Sequence, residues 1–327
     1  MIEPWGETRD GASVYRVTIA SDQMTASLLS FGATLQDLRL AGFGHPLVLG
    51  FDHFEPYENS PKYFGAAVGR FANRVSNATA QIDGQWLHLD QNADPHHLHG
   101  GRNGSSFRNW RVADHGPNFV VFEDVLPDGH MGFPGNLRVS ARYQMTGPSL
   151  MLTFNATTDA PTLCNFTGHS YFHLDETADL SDHFLTVIAD SFTERTDEGI
   201  PTGKTCLTNG SKLDFNSSKP LVDNHGLRRI DENFCLSDQR GPLRHAATLT
   251  SKASKLTMDL ATTESGLQAY TMEQIDPFPA SGMKASTGIA LEPQVWPDAP
   301  NHAGFPTATL RHGDLYRHQT TYTFSHA

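Results

Sequence analysis

His169 is the side chain of this sequence whose surroundings most favour acid–base chemistry. It lies in residues 165–174 (NFTGHSYFHL), where residue types alternate as they do in a strand. Side chains two residues apart point to one face of a strand, so His169, Tyr171 and His173 are predicted to share a face. Histidine titrates near neutral pH, which makes a strand-fixed histidine beside a polar aromatic a candidate proton donor. A satisfied structural histidine would fit the same pattern.

Glu292 is the candidate proton acceptor. It lies in residues 288–294 (GIALEPQ), where an apolar strand approaches the proline-rich segment 296–301 (WPDAPN). Glu292 and Gln294 share a face if the strand is regular there. A lone glutamate on a strand is more often a solvated surface residue, so this segment alone leaves both interpretations open.

The composition excludes several function classes. The 327 residues carry a formal net charge of −12, whereas a nucleic-acid or anionic membrane surface selects a basic face. No apolar run is long enough for a membrane helix, and residues 1–10 lack the pattern of a secretory signal. The three cysteines are too few and too scattered for a disulfide framework or a zinc site. We therefore expect a cytoplasmic protein that binds neither nucleic acid nor a membrane surface.

Strand periodicity dominates the chain. Residues 137–145 and 150–156 alternate apolar and polar types around a turn at 146–149, which predicts a hairpin. Asp83-Gly84 predicts a tight turn between two further strands. Other predicted strands are residues 119–122, 183–189, 255–261 and 319–324, and short helical turns are predicted near 54–57 and 221–229. These patterns predict an all-β fold in which residues 1–327 form a single large antiparallel β-sandwich.

Six segments together resemble the galactose mutarotase (aldose 1-epimerase) family, in the order in which that family has them. Each segment alone is weakly specific, but together they cover nearly the whole chain. They are residues 69–75 (GRFANRV), 98–101 (LHGG), 126–137 (LPDGHMGFPGNL), 168–174 (GHSYFHL), 230–234 (IDENF) and 291–301 (LEPQVWPDAPN).

The resemblance implies a supersandwich of stacked sheets with a concave sugar-binding face, and it assigns roles to individual residues. Glu292 corresponds to the base that removes the proton of the anomeric hydroxyl, and His169 to the acid that protonates the ring oxygen. His99 corresponds to a second active-site histidine. Arg70 and Asp231 correspond to the family's substrate-binding arginine and aspartate, and we also predict Asn73 and Gln294 as substrate-binding residues. Tyr171 and Trp296 are either an apolar face for the sugar ring or ordinary core aromatics. Ring opening, rotation and closure then interconvert the anomers of a free monosaccharide with no metal, nucleotide or other cofactor. The resemblance thus implies a small-molecule substrate, and we expect a monomer or homodimer.

Three departures from the family pattern bear on the choice of sugar. The residue before the acid is Gly168, the residue after Tyr-Phe is His173, and Met272-Glu273 replaces Gly-Asn. We expect the proton-transfer pair to survive these changes. Galactose, another hexose, a pentose or a ketose all stay open as substrates.

Four other functions fit parts of the sequence. His97 and His99 form a His-x-His pair that could hold a metal together with His169, although no carboxylate follows at the expected spacing. Asp231 and Glu292 could act as the carboxylate pair of a glycosidase. A carbohydrate-binding protein would need only the hydrogen-bonding and stacking groups. A sugar-phosphate epimerase would need further cations, for which Arg102 and Arg108 are candidates.

Overall fold

The computed structural model describes residues 1–59, 62–272 and 287–326, and antiparallel strands dominate them. The strands of the first part of the chain are β1 (Ile2–Glu7), β2 (Ser13–Ala20), β3 (Met24–Leu29), β4 (Thr34–Leu40), β5 (Ala67–Val68), β6 (Arg74–Val75), β7 (Thr79–Ile82), β8 (Gln85–His88) and β9 (His97–Leu98). Those of the middle part are β10 (Arg111–Gly116), β11 (Phe119–Leu126), β12 (Leu137–Thr146), β13 (Ser149–Thr158), β14 (Thr162–Leu163), β15 (Thr167–Gly168), β16 (Tyr171–Phe172), β17 (His183–Val187), β18 (Ser191–Arg195) and β19 (Pro201–Leu207).

The strands of the last part are β20 (Lys219–Pro220), β21 (Val222–Asp223), β22 (Gly226–Leu227), β23 (Asp231–Cys235), β24 (Arg244–Ser251), β25 (Leu256–Thr262), β26 (Gly266–Thr271), β27 (Ile289–Gln294), β28 (Thr309–Leu310) and β29 (Tyr316–His326). The helix α1 spans Glu55–Asn59. Short 3₁₀ turns lie at Ser76–Ala78, Ser105–Phe107, His130–Gly132 and Ala299–Asn301.

Of the strands in the described residues, nine form the larger sheet, in the order β10-β11-β12-β13-β29-β25-β24-β17-β20. The predicted hairpin is confirmed as β12 and β13 of this sheet. These two strands pair from Leu137 opposite Thr158 to Thr146 opposite Ser149. The strands predicted at 119–122 and 319–324 are confirmed within β11 and β29. The strand predicted at 183–189 ends two residues earlier as β17, and the strand predicted at 255–261 is shifted by one residue as β25. The tight turn at Asp83-Gly84 is confirmed as well, since both residues have positive φ and connect β7 to β8.

Six strands form the second sheet, in the order β16-β27-β26-β23-β18-β19, and this sheet carries different chemistry on its two faces. Phe234, Leu267 and Leu291 alternate onto one face and lie in a core cluster shared with the larger sheet. Asp231, Gln268 and Glu292 alternate onto the opposite face. The shared core confirms the predicted all-β sandwich. That residues 1–327 form one domain stays a prediction.

Two local predictions are wrong. Residues 165–174 do not form one strand: β15 pairs with β5, and β16 pairs with β27 of the six-stranded sheet, so the chain changes partners at His169-Ser170. The segment 221–229 is not helical but forms the small hairpin β21-β22. Short strands that exchange partners leave no long periodic pattern in a sequence.

No helix of the described residues is long and apolar enough to cross a membrane. Cys164, Cys206 and Cys235 are all free thiols. Burial raises the pKa of the Cys164 thiol to about 12, which makes it a small apolar core residue rather than a nucleophile.

Candidate active site

A cavity of about 280 Å³ lies over the polar face of the six-stranded sheet. This volume is near the lower end of small-molecule sites, which start at roughly 300 Å³, and suits a ligand the size of one sugar ring. Its lining comes from distant parts of the chain and consists of Lys62, Tyr63, Asn73, Arg74, Leu98, His99, His169, Tyr171, Asp231, Gln268, Tyr270 and Glu292.

The predicted acid and base meet in this cavity. The His169 Nε2 atom lies 3.6 Å from the Glu292 Oε1 atom, and both side chains are buried. The second carboxylate oxygen of Glu292 and the Nδ1 atom of His169 are buried without a hydrogen-bond partner among the described residues. An unpaired buried polar atom costs about 1–3 kcal/mol, so the fold keeps these two atoms available at a cost to its stability.

The surroundings shift the pKa values of both groups in opposite directions. Burial raises the pKa of Glu292 well above its usual value, and the nearby Asp231 charge raises it further. Burial lowers the pKa of His169 to about 4. Two titratable groups with oppositely shifted pKa values in one cavity are typical of acid–base catalysis.

His99 is held in one tautomer. Its Nδ1 atom accepts a hydrogen bond from the backbone N–H of Asn73, at 3.1 Å. The neutral imidazole must therefore carry its proton on Nε2. Burial, followed by the His169 charge, keeps the pKa of His99 well below its usual value. His99 is thus a neutral hydrogen-bond donor in the cavity wall.

The glycine that follows His99 allows two backbone segments to approach each other closely. A Cβ atom on Gly100 would lie 1.8 Å from the carbonyl oxygen of Gly69. Gly100 also has φ of +85°, a region that residues with a side chain rarely adopt. The close approach packs the His99 loop against the segment that carries Arg70 and Asn73.

Asp231 and Gln268 form the polar floor of the cavity. The Gln268 side-chain amide donates to Asp231 Oδ1 at 2.7 Å, and Gln268 lies directly across the strand pair from Glu292. Arg74 lies beside them in the same lining. A carboxylate acceptor, an amide and a guanidinium donor together offer the complementary groups that sugar hydroxyls bind.

Aromatic rings form one wall. The Tyr63 ring centroid lies 4.6 Å from that of His99 and 5.8 Å from that of His169, so Tyr63 packs against both histidines. Tyr171 lines the cavity as predicted, and its hydroxyl donates to the carbonyl oxygen of Lys62. Both rings pack against His169 and so form an apolar side of the cavity next to the Glu292–His169 pair.

The structure places Arg70 outside the cavity. Its guanidinium is fully buried and donates to the carbonyl oxygens of Leu126, Pro127, Pro134 and Gly135. Burial lowers the pKa of Arg70 to about 10. Arg70 therefore fixes the loop before β12, and Arg74, four residues later in the same motif, is the arginine of the cavity.

Three other residues of interest also lie away from the cavity. Gln294 shares a face with Glu292 as predicted, but it is fully buried and is not part of the lining. Trp296 packs on Phe305 and donates to the Ser265 carbonyl oxygen, so it offers no face to a ligand there. His173 contacts Asp175 and the Thr287 carbonyl oxygen in a separate buried cluster.

Sequence reasoning missed Arg74, Gln268 and Tyr63 as lining residues. Arg74 lies in a recognised motif, but a choice between it and Arg70 requires the direction of each side chain. Gln268 becomes visible only once β26 is known to pair with β27. Met272 is buried in the core, and Glu273 lies outside the described residues.

Among the described residues, two groups of side chains have the composition of metal sites. His99, His169 and Glu292 have potential ligand atoms within 4.8 Å of one another, and so do His173, Asp175 and His183. In each group one histidine nitrogen already accepts a hydrogen bond from the backbone. His99 Nδ1 accepts from the Asn73 N–H, and His183 Nε2 accepts from the Leu174 N–H. Each of these rings then presents a protonated nitrogen to its cluster, which does not suit a metal ligand.

A larger depression of about 560 Å³ lies elsewhere, on the outer surface of β10 to β13. The ion pairs at this surface are Arg111–Glu123 and Arg108–Asp124. Its lining contains no histidine and no buried carboxylate, so its size alone does not make it the reactive site.

Comparisons with known proteins all point to one family. A family model described as aldose 1-epimerase matches residues 15–323. The chain is 34% identical to the galactose mutarotase of Homo sapiens, over 96% of this chain and 95% of that protein. It is 31% identical to the aldose 1-epimerase of Escherichia coli (strain K12), over 96% of each.

Solved structures show the same fold. The structure of a GalM/aldose epimerase homologue from C. elegans superimposes with a TM-score of 0.88 at 32% identity, covering 95% of this chain and 99% of that one. A galactose 1-epimerase from Lactobacillus acidophilus gives a TM-score of 0.86 at 25% identity, covering 100% of this chain and 98% of that one.

Proposed function

The chain belongs to the aldose 1-epimerase family, and we propose that its buried Glu292–His169 pair interconverts the α and β anomers of a free monosaccharide. The observation that carries this assignment is the 3.6 Å approach of a carboxylate and an imidazole in a sugar-sized cavity. Such a pair supplies the one base and the one acid that ring opening requires.

The proposed reaction uses both members of the pair in turn. The Glu292 carboxylate removes the proton of the anomeric hydroxyl while His169, carrying the proton of the pair, protonates the ring oxygen. The C1–O5 bond breaks, and C1 becomes an aldehyde. Rotation about the C1–C2 bond presents the other carbonyl face, and the reversed proton transfers close the ring. The enzyme regains its original protonation state, and no cofactor is consumed.

The other cavity residues position the sugar. The His99 Nε2–H donates to an oxygen of the substrate, and Asp231, Gln268, Asn73 and Arg74 hold hydroxyl groups. The fixed tautomer of His99 and the Gln268–Asp231 hydrogen bond support these roles. Preorganised groups of this kind place the reacting atoms without further reorganisation.

Two arginines of one motif should respond differently to substitution. Arg70→Met should lower the free energy of unfolding by at least about 3 kcal/mol, because several buried carbonyl oxygens lose their donor. Arg74→Met should leave the thermal midpoint nearly unchanged and should raise KM about tenfold, the value of one hydrogen bond. Thermal unfolding together with kinetics on both variants checks this. A stable Arg70→Met variant with a raised KM would contradict this account and indicate that Arg70 binds the substrate.

The pH dependence of kcat/KM should be bell-shaped. With the pKa of His169 at about 4 and that of Glu292 raised, the pair holds one proton between these limits. Turnover requires the same single proton, but on His169 rather than on Glu292. The two arrangements carry the same number of protons, so they are populated over the same pH range. We expect an acid limb at about pH 4, where a second proton binds, and an alkaline limb where the only proton leaves. A profile without an acid limb would contradict the assignment.

The alternatives receive less support. A sugar-phosphate epimerase would need further cations at the cavity, but Arg102 pairs with Asp90 and Arg108 pairs with Asp124. A binding protein would not need a buried Glu292 oxygen without a partner among the described residues. The free cysteines fit a cytoplasmic location, and the oligomeric state stays a prediction of monomer or homodimer.

Saturation-exchange NMR tests this function directly. The anomeric signals of galactose, glucose, fructose, xylose and arabinose are recorded with and without catalytic amounts of protein. Faster exchange for at least one of these sugars supports the proposal and names the substrate class. Unchanged exchange for all of them, with folded protein, would contradict it.

A further inference from the structure

A small recess opens beside the floor of the active-site cavity. It measures about 10 Å³, roughly the space that one water-sized probe occupies. Asn73, Arg74, Asp231 and Gln268 border both the recess and the cavity, so the two spaces share a wall. The residues found only around the recess are Thr193, Arg195, Gly199, Pro201, Asn233 and Pro297.

Asn233 is the polar group of this recess with unused hydrogen-bonding capacity. Its side chain is 3% exposed, and neither its Oδ1 nor its Nδ2 atom has a hydrogen-bond partner among the described residues. A Cβ atom on Gly266 would lie 2.5 Å from Asn233 Oδ1, so the amide occupies space that only a glycine leaves open. A buried amide without a partner destabilises a fold, which points to a ligand group that completes it.

The position of Asn233 relative to the reacting groups follows from strand register. Asn233 lies opposite Gln268, and Gln268 lies opposite Glu292, on the same face of three neighbouring strands. Strands are about 4.8 Å apart, so the Cα atoms of Asn233 and Glu292 are about 10 Å apart. Asn233 therefore faces the end of the substrate that is remote from the proton-transfer pair.

The charges around the recess favour a neutral group. Arg195 is engaged with Glu232 through two contacts of 3.1 and 3.2 Å, and Arg74 shares the lining with Asp231. A phosphate or carboxylate would also exceed the size of the recess. A hydroxyl group fits it, because a hydroxyl both donates and accepts and so matches the two halves of an amide.

We propose that the recess receives one hydroxyl group on the edge of the sugar remote from the reacting carbon, and that Asn233 determines specificity by binding this hydroxyl. The inference rests on the proposed function, since it assigns a part of the same substrate. It adds the prediction that the enzyme distinguishes sugars by one distal hydroxyl.

The test compares the preferred sugar with its single-deoxy analogues, using wild type and Asn233→Leu. In wild type, loss of one particular distal hydroxyl should lower kcat/KM at least about tenfold. Asn233→Leu should lower kcat/KM for the intact sugar by a similar factor and should leave the value for that deoxy analogue unchanged. Analogues lacking other hydroxyls serve as internal controls, because both proteins should treat them alike.

An equal loss of kcat/KM on every analogue in Asn233→Leu would overturn the proposal, since a merely structural role acts on all substrates. Asn233→Ser, which keeps one donor and one acceptor, should retain part of the discrimination and replaces the leucine variant if that variant does not fold. Calorimetric affinities for the same sugars repeat the comparison without turnover. If calorimetry shows the predicted discrimination in binding but no sugar is turned over, the proposed reaction is wrong and the proposed role of the recess is supported.

Discussion

Glu292→Gln should lower the turnover number by about 10²- to 10⁴-fold, the usual contribution of a general base. Glutamine has nearly the same shape and keeps a hydrogen bond to the anomeric hydroxyl, but it cannot accept the proton. The affinity for sugar should therefore change little. Turnover measured by polarimetry and affinity measured by calorimetry separate the two effects.

The same substitution offers a check on the electrostatics. Burial and the Asp231 charge make the ionised form of Glu292 costly. A neutral glutamine removes this cost, so Glu292→Gln should unfold at the same or a higher temperature than wild type. Near-normal turnover in this variant would show that Glu292 is not the base.

His169→Asn should lower turnover by a similar factor, about 10²- to 10⁴-fold, because the ring oxygen loses its proton donor. The asparagine amide can still donate a hydrogen bond to the sugar, so binding should persist. The measurement is the same polarimetric rate, with calorimetry as the control for binding.

The combination of both substitutions tests whether the two residues act as one unit. Groups that act in a single step give losses that do not add, so the double variant should be scarcely slower than either single variant. An unchanged rate in His169→Asn would remove this residue from the mechanism. A fully additive loss would indicate two independent roles in place of one coupled proton transfer.

Local patterns in the sequence predicted the hairpins well. The alternation along residues 137–156 and the turn at Asp83-Gly84 depend on residues that are neighbours in the chain. Both hairpins can therefore be predicted from the sequence. The order of strands in the sheets is set by contacts between distant segments, such as β13 with β29. Periodicity contains no information on those pairings, and the family resemblance supplied only the class of fold.

The site was predictable to the level of motifs but not to the level of side-chain direction. Glu292, His169, His99, Asp231, Asn73 and Tyr171 line the cavity, as the resemblance implied. Arg70 and Gln294 do not line it. The Arg70 side chain turns into the loop before β12, and Gln294 lies two residues beyond Glu292 on β27, opposite Gly266. Asn233 was recognised only as part of a motif, since its missing partners become visible when the strands are assembled.

The most direct test of the central claim is polarimetry on a freshly dissolved single anomer, with catalytic amounts of wild-type protein and of Glu292→Gln. We predict that wild type speeds the approach to the equilibrium rotation for at least one free monosaccharide, and that Glu292→Gln abolishes nearly all of this acceleration. Equilibration at the spontaneous rate with folded wild-type protein, for every sugar tried, would contradict the account.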